Sequence, residues 1–154
     1  MKGFRVRAAV MADAEIVAEF NCRLARETEN LELRLETVTE GVRGGMAVPG
    51  RATYLVAECV DTGDVVGQLM LTHEWSDWRN ADMWWLQSVY VRADWRERGV
   101  FGALLSSAEA AARVEGVACL RLYVESHNGR AREVYVRRGF VDAGYVVMER
   151  DLRG

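Results

Sequence analysis

Cysteine is scarce in this chain: Cys22, Cys59 and Cys119 are the only three in 154 residues, far apart and each in an apolar stretch. No Cys-x-x-Cys pair occurs, and neither His73 nor His127 sits at metal-ligand spacing, so no metal site is expected. The odd cysteine count and the lack of a recognisable secretory leader favour a reducing cytoplasm. No apolar run approaches the roughly 18 residues that span a bilayer, so no membrane partner is expected. Lysine is nearly missing too: every cation but Lys2 is an arginine. Two phosphate-binding signatures are absent. No Gly-Lys-Ser/Thr follows a glycine-rich loop, and Gly99 and Gly102 lack the leading glycine of a dinucleotide fingerprint. With a net charge of −3, a general nucleic-acid binder is excluded.

What is present suits one globular domain over residues 1–154, half of it apolar. Charge is unevenly placed. Residues 1–90 carry 9 basic and 14 acidic side chains, net −5, and residues 91–154 carry 11 basic and 9 acidic, net +2. The pattern of periodicities predicts β-α-α-β-β-β-α-β-α-β-β. Phe4 to Ala8 alternates as a half-buried strand. Asp13 is positioned to cap a helix whose apolar face is Ile16, Val17, Phe20 and Leu24. Thr37 to Glu40 fits a capping box for a short helix reaching about Gly44, with Gly44, Gly45, Pro49 and Gly50 marking a loop. Thr53–Val60 and Val65–Thr72 read as a hairpin about Asp61–Asp64. After a polar, aromatic connection from Trp75 to Ala81, Met83–Val91 reads as a buried central strand. Arg98–Val114 is an amphipathic helix with Phe101, Leu104, Leu105, Ala108, Ala111 and Ala112 on one side. Val117–Val124 is a strand and Asn128–Arg138 a helix stopped by Gly139. Phe140–Ala143 and Tyr145–Arg150 are expected as two closing strands. The fold class is α/β (α+β), a mixed sheet flanked by helices.

The segment from Val89 to Leu105 carries the most chemistry. A buried strand, Val89-Tyr90-Val91, enters a charged loop with Arg96, Glu97 and Arg98, and the loop enters a helix at Gly99-Val100-Phe101-Gly102-Ala103. A helix N-terminus offers unpaired N–H groups and partial positive charge, which suit phosphate. Gly99 and Gly102 clear side chains from the backbone, and Arg96 and Arg98 add planar donors. Spacing alone leaves a solvated arginine loop equally open. A second motif, Asn128-x-x-Ala131-x-x-x-Tyr135-x-x-x-Gly139-Phe140, puts Asn128, Ala131 and Tyr135 on one side of a helix. By itself it also describes a capped helix with a core tyrosine.

Together, and in this order, the two motifs resemble the GNAT family of N-acetyltransferases. That family's signature is Gln/Arg-x-x-Gly-x-Gly/Ala. Arg96 and Gly99 match the first two anchors, whereas Phe101 stands where Gly or Ala is typical. The resemblance covers most of the chain, weakest over residues 25–52, and implies a mostly antiparallel central sheet with about four helices. It implies acetyl-CoA as the acyl donor. The backbone of Val89 and Val91 would pair with the pantetheine arm, and backbone groups from Arg98 through Ala103, with Arg96, would hold the pyrophosphate. Asn128 would lie near the arm and Tyr135 near the thioester sulfur. A primary amine is then acetylated by direct attack, with the Val89 N–H as oxyanion donor and Tyr135 as general acid.

No single base stands out. Gln87 and Ser88 occupy the central strand where many relatives carry an acid, Tyr123 and Glu125 lie on or beside the next strand, and Glu27, Glu29, Glu74, Asp77 and Asp82 are further candidates. For the acceptor, Glu29, Glu74, Trp75, Trp78 and Gln87 are the residues to examine, since aromatic and acidic groups suit a cationic amine. A small-molecule amine is the expected acceptor. A protein N-terminus or lysine, a non-catalytic acyl-CoA-binding module and a partner-binding domain remain alternatives, and a homodimer stays open.

Overall fold

The computed structural model describes residues 3–154. The internal contacts divide the chain into two compact units, one ending at Tyr123 and one spanning Val124–Gly154, each described in turn.

The first unit is a five-stranded sheet in the order β1-β2-β3-β4-β5. Its strands are β1 (Phe4–Ala8), β2 (Thr53–Cys59), β3 (Val65–Ser76), β4 (Ala81–Val91) and β5 (Cys119–Leu122). The first four run antiparallel as neighbours in sequence, and β5 joins β4 in parallel. Helices α1 (Ala14–Glu29), α2 (Leu35–Ala47) and α3 (Val100–Val114) complete it. The second unit holds α4 (Gly129–Arg137).

The apolar stripe of α1 does what its spacing predicts. Val17 and Phe20 are fully buried, and Ile16 and Leu24 pack on the same core with Tyr54, Val56 and Tyr90 of the sheet. Burying a ring such as Phe20 contributes about 1.5–3 kcal/mol. On α3 the buried side chains are Val100, Leu104, Leu105, Ala108 and Ala112, whereas Ala111 is exposed and lies off the stripe. Gly67 of β3 lets this helix approach: a Cβ there would stand 2.8 Å from Val100 Cγ1. The start of α3 is thereby held directly on the sheet.

Three local expectations are corrected. Asp13 does not cap α1; its carboxylate accepts from Arg7 Nη1 and Nη2 at 2.8 and 3.0 Å and from the Val10 N–H at 2.7 Å. Arg7 holds that carboxyl below its ordinary range, although burial opposes the shift. Helix α2 starts at Leu35 with no side-chain cap, and runs through Gly44 and Gly45 to Ala47 instead of ending in a loop there. Thr39, read as part of a capping box, donates its hydroxyl back to Leu35 O at 2.7 Å, as a threonine inside a helix does.

In the second unit the Asn128 side chain accepts from the Ala131 N–H at 3.1 Å, capping α4 as its position predicts. Gly139, at φ 90°, follows its end. The two closing strands are not formed: no strand follows Leu122. The chain does turn at Gly144, whose N–H donates to Asp142 Oδ1 at 2.8 Å, but the limbs make no ladder. Strand-forming side chains supply propensity, yet a lone hairpin is marginal without further strands.

Candidate active site

β4 is regular up to Gln87 and then breaks its register. Its pairing with β3 joins Met70 to Gln87 but Gln68 to Tyr90, so Leu69 faces both Ser88 and Val89. This is a β-bulge, a device that re-aims backbone groups. Ser88 sits at φ 52°, a left-handed conformation that costs a non-glycine residue about 1–3 kcal/mol. On its other side, β4 pairs with β5 only from Met83↔Cys119 to Leu86↔Leu122. From Gln87 onward that edge has no strand neighbour among the described residues, which leaves a backbone edge that an extended amide-bearing chain can join.

The bulge is held from the interior. Gln68 is fully buried on β3, and its Nε2 donates to Ser88 O at 3.1 Å and to Asn21 Oδ1 on α1 at 2.8 Å. Its Oε1 has no hydrogen-bond partner, a condition that costs about 1–3 kcal/mol. The sequence signal for this pair was an amide inside the apolar run Val65-Val66-Gly67-Gln68-Leu69, and an asparagine on the apolar side of α1.

After β4 the chain makes one 3₁₀ turn, Ala93–Trp95, then an extended Arg96. Glu97 and Gly99 adopt positive φ, 62° and 84°, on either side of Arg98. Alternation of this kind points successive N–H groups into one concavity, an anion-binding nest. α3 follows at once, and its own ladder begins only with the Ala103 N–H donating to Gly99 O at 3.0 Å. Phe101 is half-buried, so the bulky residue at the expected Gly or Ala position is accommodated without breaking the helix start.

The arginines of the turn are already engaged. Arg96 donates through Nη2 to Glu27 Oε2 at 2.8 Å and through Nε to Val91 O at 2.9 Å, and its guanidinium lies 5.4 Å from the Tyr90 ring centroid. Tyr90 donates its hydroxyl to Glu27 Oε1 at 3.3 Å. Burial, with the Glu27 charge, pushes the Tyr90 phenol up. Arg98 stacks 5.1 Å over Trp95, which is itself buried. Arg96 as placed therefore ties the turn to α1, and Val91 O is taken by that tie. A cavity of about 340 Å³ borders the turn on the side of Arg92, Asp94 and Arg98.

The acceptor candidates separate into two groups. Cross-strand pairing puts Thr72 with Trp85 and Trp85 with Arg121 on one face of the sheet. There Gln87 Nε2 donates to Thr72 Oγ1 at 2.6 Å, and Trp85 Nε1 to Glu74 Oε1 at 2.8 Å. Arg121 lies 4.0 Å from Glu74, offsetting its charge, and Tyr123 stacks on Trp85 at 4.5 Å. Trp75 and Trp78 instead flank the exposed β3–β4 turn, 61% and 92% exposed, and Glu29 is exposed at the end of α1. The base candidates Asp77 and Asp82 are exposed near the same turn, and Glu125 accepts from the His127 N–H at 2.9 Å.

Within the second unit, Tyr135 lies on α4 edge-on to Phe140, ring centroids 5.6 Å apart. Burial pushes its phenol up from the ordinary value. Among the described residues no group of three or more His, Cys, Asp or Glu could hold a metal ion, and no helix is long and apolar enough to cross a membrane.

The comparisons with known proteins agree with this architecture. The chain is 33% identical over 96 residues to the uncharacterized N-acetyltransferase YhfO of Bacillus subtilis (strain 168), covering 62% of this chain and 63% of that protein, under two thirds of it. The solved structure of a possible acetyltransferase from Clostridium difficile 630 is 35% identical, with 97% of each chain covered and a TM-score of 0.89. At the level of fold, a predicted acetyltransferase from Clostridium acetobutylicum, solved with acetyl-CoA, matches at a TM-score of 0.79 and 16% identity over 99% of each chain. A sequence model described as the acetyltransferase (GNAT) family matches residues 19–140, about four-fifths of the chain, and the chain belongs to that family.

Proposed function

We infer that the protein transfers an acetyl group from acetyl-CoA to the primary amine of a small molecule. The observation that carries this reading is the unpaired β4 edge past Leu86, bulged at Ser88 and running into the left-handed turn before α3. It offers, in one stretch of backbone, an edge for an amide-bearing arm and a nest for a diphosphate. The chain as a whole serves as one acetyltransferase domain. The family's use of acetyl-CoA, and its presence in the Clostridium acetobutylicum relative, support that donor.

Acetyl-CoA supplies a thioester whose carbonyl accepts a nucleophile and whose thiol leaves. The residues present fit it. The outward backbone groups of Val89 and the Val91 N–H would pair with the arm, Val91 O being taken by Arg96. The amides from Glu97 through Gly102 would receive the diphosphate, the Ala103 N–H being taken by Gly99 O, and Arg96 holds their conformation through Glu27 and Val91 O. The Val89 N–H would be the donor to the thioester carbonyl oxygen. Asn128 and Ala131 shape the start of α4, and Tyr135, a phenol protonated at neutral pH, would supply a proton to the departing thiolate. A lysine-like amine with pKa about 10.4 must lose its proton before attack. On the acceptor side Gln87, Trp85 and Glu74 present one aromatic and polar face.

Two measurements test the reading. Calorimetry with acetyl-CoA should give binding, and a panel of small amines, with peptides alongside, should release CoA thiol fastest with a small amine. Release confined to peptides would replace the acceptor class, and no acetyl-CoA binding would remove the function. Tyr135→Phe should lower kcat by about 100-fold or more at unchanged acetyl-CoA affinity. Full turnover in that variant would remove the acid role.

A further inference from the structure

The bulge carries two unfavourable features at one point: a serine in a left-handed conformation, and beside it a buried glutamine with an unpartnered carbonyl oxygen. Strain and unmet polarity persist together where a geometry is needed for something other than stability. A methionine of similar shape would remove the unmet Oε1 but leave Ser88 O and Asn21 Oδ1 without this donor. What the amide supplies beside its unmet oxygen is a donor to Asn21 Oδ1 and a bond to Ser88 O.

That bond has a directional consequence. The Ser88 carbonyl and the Val89 N–H belong to one peptide plane, and among the described residues no peptide bond is cis. In a trans peptide the C=O and N–H point in opposite directions. Drawing Ser88 O toward the interior, where Gln68 Nε2 meets it at 3.1 Å, turns the Val89 N–H outward. Gln68 itself is held by α1: Nε2 also donates to Asn21 Oδ1 at 2.8 Å. Rotating the amide by half a turn would bring its oxygen against two acceptors, so Asn21 and Ser88 together select one orientation.

We propose that Gln68, oriented by Asn21, is a positioning residue that aims the Val89 N–H at the thioester carbonyl. The proposal rests on the reading of Val89 as the oxyanion donor. Helix α1 then has a part in the chemistry without touching the reactants. Asn21 sets the amide of Gln68, and Gln68 sets the peptide that polarises the carbonyl.

The test uses the full chain and acetyl-CoA labelled with ¹³C at the acetyl carbonyl. In the wild type, the infrared carbonyl band of the bound thioester should fall in frequency relative to the free compound, reporting the Val89 donor before any acceptor is present. In Gln68→Met that shift should shrink, with kcat lower by about 10- to 100-fold. CoA affinity should stay within about threefold, and Tm should fall modestly, since Ser88 O and Asn21 Oδ1 lose their donor as the unmet Oε1 goes. A merely structural residue would lower Tm with both kcat and the carbonyl shift retained. Should Gln68→Met not fold, Asn21→Ala frees the amide to turn and should shrink the same shift by a smaller amount. If the wild type shows the shift and neither variant diminishes it, Gln68 has no positioning role and the Val89 reading survives. If the wild type binds acetyl-CoA with no shift, the Val89 reading fails and this inference falls with it.

Discussion

The two ends of the β3–β4 pair are built to opposite standards. At the bulge, Gln68, Tyr90 and Leu69 are buried, Ser88 is strained, and α1 is tied in through Asn21 and Glu27. At the turn between the strands, Trp75, Asp77, Trp78 and Asp82 are exposed, and Trp78 touches little. One pair of strands therefore carries a backbone site fixed by the interior and a side-chain surface left open to water. A donor common to a whole family can be met by the first, because backbone amides do not depend on side-chain identity. An acceptor that differs between proteins calls for the second.

The sharpest way to break this contrast is at Gly99. Its φ of 84° is one that a β-branched residue avoids, although a Cβ there would meet nothing within 4 Å. Gly99→Val should therefore strain the turn's backbone and weaken acetyl-CoA binding by about 10- to 100-fold. Gly41→Ala on α2, where a Cβ also meets nothing, should leave acetyl-CoA binding alone and stabilise the fold by about 0.5–1 kcal/mol. Calorimetry and thermal melting on the two variants distinguish the cases. Wild-type affinity in Gly99→Val would mean that the turn does not hold the diphosphate.

The same contrast explains what could be read from the sequence. The stripe of α1, the Asn128 cap, the β2–β3 hairpin and the turn before α3 are local patterns, and they appear where periodicity and spacing put them. The family was legible because its two motifs are local as well. What was missed depends on partners distant in sequence. Asp13 prefers Arg7 to the α1 N-terminus. Gly45, read as loop, lies inside α2, where a Cβ would come within 3.4 Å of Ala52 and 3.5 Å of Tyr54. The bulge exists only in the register between two strands, and its keeper Gln68 is 20 residues from Ser88 and 47 from Asn21. The two closing strands had the right composition and no ladder.

A smaller effect sharpens the account of the turn. The Arg96–Glu27 pair is about half exposed on both sides, so it is worth about 0–1 kcal/mol. Glu27→Gln removes the charge from α1 and leaves the amides of the turn in place. It should raise the KM for acetyl-CoA by about 2- to 5-fold with kcat nearly unchanged. The difference from wild type should fade at high salt, where such pairs are screened. A loss of kcat instead would give Glu27 a part in the chemistry, as one of the base candidates, and would extend the rigid end of the site to that residue.

The smallest effect is expected at the exposed end, and it decides whether that end is an acceptor surface at all. Trp78 is 92% exposed, so Trp78→Ala should change stability by no more than about 0.5 kcal/mol. It should leave acetyl-CoA affinity and the rate of water-driven CoA release untouched, because the bulge and the turn lie at the other end of the strands. If the open surface receives the amine, the KM for the best amine of the panel should rise severalfold while the order of amines changes. Identical kinetics across the panel would place acceptor recognition on the Gln87, Trp85 and Glu74 face alone. That face is hydrogen-bonded internally, through Thr72 and the Glu74–Trp85 contact. An amine recognised there would have to exchange those bonds, and a slower, more selective enzyme would be the result.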